Sequence, residues 1–109
     1  MTSVIFKKEN EKLVAFKIEG HSGFDELDRD IICSAISMVS QTTLIGILEV
    51  LKVEAEYCMD EDGFLSLSLK GKSMEEIEKC QVLLKTMLLG LENIQISYGE
   101  YINVIVEEV

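Results

Sequence analysis

The chain has 109 residues, 48% hydrophobic and 28% charged, and its 20 acidic and 10 basic side chains give a formal net charge of −10. That is room for one folded domain and too little for two ordinary ones, and the apolar share is too high for a disordered chain. The charge balance excludes a surface built to neutralise bare phosphates, so direct nucleic-acid binding is not expected, whereas a basic polypeptide would be attracted.

The elements read in order as ββαββαβ. Residues 4–8 and 13–19 are short strands around the polar turn Glu9-Asn10-Glu11, with Val14, Phe16 and Ile18 expected on one face of the second. The segment 20–29 is a loop containing Gly20 and Gly23, after which Asp28 or Asp30 can cap a long helix reaching about Lys52. Ile32, Ile36, Val39, Ile47 and Leu51 recur at helical spacing, as do Ala35, Met38 and Ile45, so this helix is apolar on most sides and belongs in the domain centre or a dimer interface. Its exception is a polar strip, Cys33, Ser37 and Gln41, spaced by four and therefore stacked on one face.

Residues 53–58 and 64–70 read as a second hairpin around Asp60-Glu61-Asp62-Gly63, with Leu65, Leu67 and Leu69 alternating against Ser66 and Ser68. Ser73 and Glu76 form a capping box for a helix over 74–92, whose apolar face includes Cys80, Leu84 and Leu91. A last strand covers 100–106. The expectation is a single α+β domain over 1–109, a mostly antiparallel sheet packed with two helices.

No apolar run is expected to approach the length of about 20 residues that crosses a membrane. The basic residues of the N-terminus follow its apolar ones, opposite to a secretory signal. Cys33, Cys58 and Cys80 should therefore be reduced, in a cytoplasmic setting. They form no CxxC pair, and one His with three scattered Cys makes no zinc pattern, so neither metal nor cofactor is expected. Cys58, in a strand, and Cys80, on an apolar helix face, read as small core hydrophobes.

Cys33 is the thiol with chemical promise. A cysteine nucleophile works as its thiolate and needs a lowered pKa and a nearby base. The predicted helix start places Cys33 in its first turn, where unpaired N–H groups and the positive dipole end favour an anion. His21 lies at the end of the second strand, one compact loop away, so an imidazole–thiolate pair is feasible. Asp30 is either a helix cap or an accessory group, and Ser37 either bonds within the site or caps a carbonyl. Gly20 and Gly23 are plain turn residues or hinges that admit a substrate.

Gly20-His21-Ser22-Gly23-Phe24, followed by Asp30-Ile31-Ile32-Cys33-Ser34-Ala35-Ile36-Ser37, resembles the signature of the Prp family of bacterial cysteine proteases, roughly G-H-A-G, a short loop, then D-I-V-C-A-A-V-S. Ser40-Gln41-Thr42-Thr43 is similar to its continuation, and length and element order match along the whole chain. The resemblance implies that His21 is the general base and Cys33 the nucleophile, with Asp30 and Ser37 accessory and Gly20, Ser22, Gly23 and Phe24 forming a substrate loop. It also implies a cytosolic homodimer that removes the N-terminal extension of a large-subunit ribosomal protein precursor. Ser22, Ser34 and Leu27-Asp28 depart from the family pattern, the last where Tyr-Gly is common, which bears on peptide choice rather than chemistry.

Two other classes compete. A non-catalytic ribosome-associated assembly module would use the same apolar helix for dimerisation and the acidic surface for a basic partner. A thiol-redox regulator is the weaker rival, since no second Cys stands near Cys33 in sequence to resolve an intermediate.

Overall fold

The structure, a computed structural model, describes the backbone of residues 1–20 and 27–109 and the side chains of 1–20 and 31–109. Strands β1 (Thr2–Glu9) and β2 (Lys12–Glu19) form a hairpin. Its two turn residues, Asn10 and Glu11, have φ of 50° and 67°, the left-handed pair that matches the twist of the flanking strands. Val4 pairs with Ile18 and Phe6 with Phe16, so these four side chains share a face, and the two Phe rings lie 5.9 Å apart.

The register then shifts between Lys7 and Lys8, a bulge that turns Leu13 into the core in place of the expected Val14. The Leu13 backbone would be left unpaired inside the protein. Gln81, itself buried, supplies both partners: its Oε1 accepts from Leu13 N–H and its Nε2 donates to Leu13 C=O, each at 2.8 Å.

Helix α1 (Leu27–Ile45) runs on through a π-helical turn, Gly46–Val50. Strands β3 (Glu56–Met59) and β4 (Leu65–Ser68) form the second hairpin. Asp60 Oδ1 closes its turn by accepting from the N–H groups of Asp62 and Phe64, and Gly63 takes a φ of 91° that favours glycine. Helix α2 (Met74–Tyr98) carries the expected capping box, and Ser73 lowers the Glu76 pKa chiefly through its backbone hydrogen bond. The helix extends past the expected end near Glu92, and its Gln95 side chain accepts from Val104 N–H at the start of β5 (Ile102–Glu108).

The sheet order is β3-β4-β2-β1-β5. β5 lies parallel to β1 while the other pairings are antiparallel, so the sheet is mixed and mostly antiparallel in an α+β domain. Both helices cover one face, where Val4, Phe6, Phe16, Ile18, Leu65 and Leu67 join Ile36, Ile47, Leu84 and Leu91 in one core. The other face carries Lys7, Lys17, Ser66 and Ser68, the alternation of a sheet solvated on one side.

Two expectations are corrected here. Cys58 is exposed rather than core, because β3 is an edge strand with all four residues solvated. Residues Ile31–Val50 are long and apolar enough to cross a membrane by composition, contrary to the sequence reading. A third of that segment is buried, with Ile32, Ile36, Leu44 and Ile47 in the core, as in the central helix of a globular domain.

Candidate active site

Cys33 falls in the second turn of α1, half-buried, since the helix begins at Leu27 rather than beside the cysteine. Asp28 and Asp30 accordingly lie within the helix and not at its N-cap. A helix leaves unpaired only the N–H groups of its first turn. The N–H of Cys33 is thus committed to the helix ladder and is not one of the unpaired first-turn donors. The dipole effect, confined to the first turn, is correspondingly weaker.

What surrounds the thiol instead is a convergence of strand ends. Thr2, the buried first residue of β1, places its Oγ1 3.7 Å from Cys33 Sγ, and either atom can be the donor. The Thr2 N–H donates to Tyr101 C=O at 2.8 Å, which ties the start of β1 to the entry of β5. Gly20, just beyond the end of β2, packs against the same place. Its φ is +90°, and a Cβ there would stand 2.7 Å from the Met1 carbonyl oxygen. Only a glycine fits without displacing backbone.

The chain that leads into His21 therefore leaves β2 beside the strand start that Cys33 touches. A hydroxyl at this distance from sulfur can donate a hydrogen bond to it or accept one from the thiol. Neither the contact of Thr2 with Cys33 nor the close approach at Gly20 was foreseen; the alternation of β1 reads as an ordinary strand start.

Of the other candidates, Ser37 is exposed one turn after Cys33, with Gln41 exposed a turn further. His21, Ser22, Gly23 and Phe24 lie outside the described residues, as does the side chain of Asp30. Cys80 is fully buried, and burial, then Glu76, raises its thiol pKa, which makes it unreactive. Among the described residues no group of three His, Cys, Asp or Glu could hold a metal ion. A concavity of about 940 Å³ lies on the solvated sheet face, without Cys33 in its lining.

A thiol held by a hydroxyl at a junction of strand ends suits covalent catalysis, and comparison with known proteins agrees. The family model described as cysteine protease Prp matches residues 1–103. The chain belongs to the cysteine protease Prp family. It is a peptide hydrolase that works through a cysteine thiol.

Among its relatives, the ribosomal processing cysteine protease Prp of Bacillus subtilis is 23% identical over 104 residues, 94% of this chain and 93% of that one. A solved protein of Streptococcus mutans superposes with a TM-score of 0.90 at 23% identity, covering 100% of this chain and 96% of that chain. The essential ribosomal processing protease Prp of Staphylococcus aureus, solved with a substrate peptide, gives 0.84 at 22% identity over 98% of this chain and 100% of that one. The same fold thus recurs over the whole chain, and the sequence resemblance at residues 20–24 and 30–37 falls within the matched family segment.

Proposed function

We propose that this protease removes the N-terminal extension of a large-subunit ribosomal protein precursor, with Cys33 as nucleophile and His21 as general base. The half-buried Cys33 thiol at the convergence of Thr2 and Gly20 carries the reading, because the residue after Gly20 is the chain's single histidine. His21 takes the thiol proton, and the thiolate attacks the scissile carbonyl to give a tetrahedral intermediate. Collapse expels the amine, which receives the proton from His21, and water then hydrolyses the thioester. The Thr2 hydroxyl steadies the sulfur while it is charged.

Ser37 and Asp30 have accessory roles, and Gly20, Ser22, Gly23 and Phe24 form the loop that admits the peptide. A net charge of −10 speeds encounter with a basic ribosomal protein at low salt. Such a substrate places the enzyme in the cytoplasm.

The enzyme acts as a homodimer. On α1, Ile31, Met38 and Ile45 are exposed at intervals of seven, and on α2 so are Val82, Leu89 and Ile96. A regular apolar stripe on each helix supports burial by a second copy. Incubation of the protein with the precursor, followed by intact mass, tests the activity: loss of the extension's mass is expected with wild type and not with folded Cys33→Ala or His21→Ala. Undiminished cleavage by either folded variant would overturn the role given to that residue.

A further inference from the structure

The polar strip Cys33, Ser37 and Gln41 does not end at the nucleophile. Its last two members form one wall of a shallow groove whose other wall is the β3–β4 hairpin, with Met59 and Phe64 facing them across a floor that includes Ile36 and Leu65. The groove encloses about 30 Å³. That space admits a group on the scale of a water molecule or the tip of a small side chain, and not an aromatic ring.

Its chemistry is divided in a way that suits a peptide. The floor residues Ile36 and Leu65 are buried apolar groups. Ser40, at the same wall, is already satisfied by donating to Ile36 C=O at 2.7 Å. Ser37 and Gln41 are exposed and make no hydrogen bond with a described residue, which leaves a hydroxyl and a carboxamide free above an apolar slot. Met59 borders the slot with a flexible thioether, 51% exposed although its Cα pairs with that of Leu65 in the core-facing register.

Distance sets which part of a peptide reaches it. Along a helix, four and eight residues advance about 6 and 12 Å, at about 1.5 Å each. An extended peptide advances about 3.3 Å per residue, so a chain lying along the strip from Cys33 puts a residue about two to four positions from the scissile bond over the groove.

We infer that the groove between α1 and the β3–β4 hairpin is a specificity subsite of this protease, in which Ser37 and Gln41 hydrogen-bond the peptide backbone and Met59 limits the side chain to a small apolar one. The inference rests on the protease reading above, and the test separates the two. Quenched fluorescent peptides spanning the precursor junction, varied as Ala, Val, Leu or Phe at each position two to four residues on either side of the bond, are cleaved by wild type, Met59→Ala, Met59→Leu and Gln41→Leu.

Wild type should prefer Ala or Val over Phe at one of these positions. Met59→Ala, which removes an exposed rim and leaves the core intact, should relax that preference by about tenfold in kcat/KM, in line with the discrimination a hydrophobic pocket gives per methylene. Met59→Leu should retain it. Gln41→Leu should raise KM for all the peptides without reordering them. Normal cleavage with an unchanged ranking in Met59→Ala would overturn the subsite while leaving the protease reading intact. Failure of wild type to cleave any peptide or the precursor would overturn both.

Discussion

Gly20→Ala is the substitution that most directly couples fold to site. An L residue held at left-handed φ costs about 1–2 kcal/mol, and the Gly20 φ is +90°. The added Cβ would also stand 2.7 Å from a backbone oxygen, Met1 C=O, closer than real Cβ contacts, so Met1 or the end of β2 must move. Together these should cost on the order of 2–3 kcal/mol, about 10 °C or more in Tm for a domain of this size.

The movement falls between Thr2, which touches Cys33, and the residue that leads into His21. A misplacement of about 1 Å can cost on the order of a hundredfold in rate, so activity should fall by that order in the fraction that remains folded. Gly71→Ala provides the comparison, because Gly71 also has positive φ, +81°, but a Cβ there meets nothing within 4 Å. It should cost only the conformational share and leave turnover unchanged. Urea unfolding with cleavage of the junction peptide, run on both variants, separates strain from contact. Equal losses in the two proteins, or a Gly20→Ala enzyme with wild-type turnover, would refute the role given to the Gly20–Met1 approach.

Gln81→Leu should lower stability by about 2–4 kcal/mol, because the buried Leu13 N–H and C=O both lose their partner and each unsatisfied group costs about 1–3 kcal/mol; the urea midpoint should fall with an unchanged slope. Burial raises the Cys80 pKa, so the folded protein holds that proton more tightly than the unfolded chain does. Its contribution to stability is present below the ordinary thiol range near about 8.5 and is lost as pH rises toward the raised value, and Cys80→Ala should flatten that alkaline decline in chemical denaturation. Iodoacetamide at neutral pH should label Cys33 first, exposed Cys58 next and Cys80 last, read by peptide mass mapping. Met38→Lys on α1 or Leu89→Lys on α2 should shift sedimentation from dimer to monomer, and a wild-type monomer at tens of micromolar would contradict the dimer.

The helical and strand periods of this chain are strong enough to read its architecture: the capping box at Ser73 and Glu76, the Asp60–Gly63 turn and the alternation of Leu65, Leu67 and Leu69 all stand where expected. Features that depend on pairing partners were not legible. The bulge at Lys7/Lys8 exchanges Val14 for Leu13 in the core, and its remedy, Gln81, lies 68 residues away. Cys58 has the neighbours of a core strand, yet edge position in the sheet order exposes it. Near the candidate site, the start of α1 was placed too late because Asp28 and Asp30 look like caps although the helix already includes them. The contact between Thr2 and Cys33 joins residues 31 apart through tertiary packing, which no local pattern announces.

The central claim is that Cys33 carries the acyl group. Rapid mixing of wild type with the junction peptide, acid quench before turnover completes, and mass mapping of the protein would show it directly. The predicted result is a thioester adduct of the cleaved segment on the peptide containing Cys33, absent from Cys33→Ala. An adduct on Cys58, or undiminished cleavage by Cys33→Ala, would contradict the account.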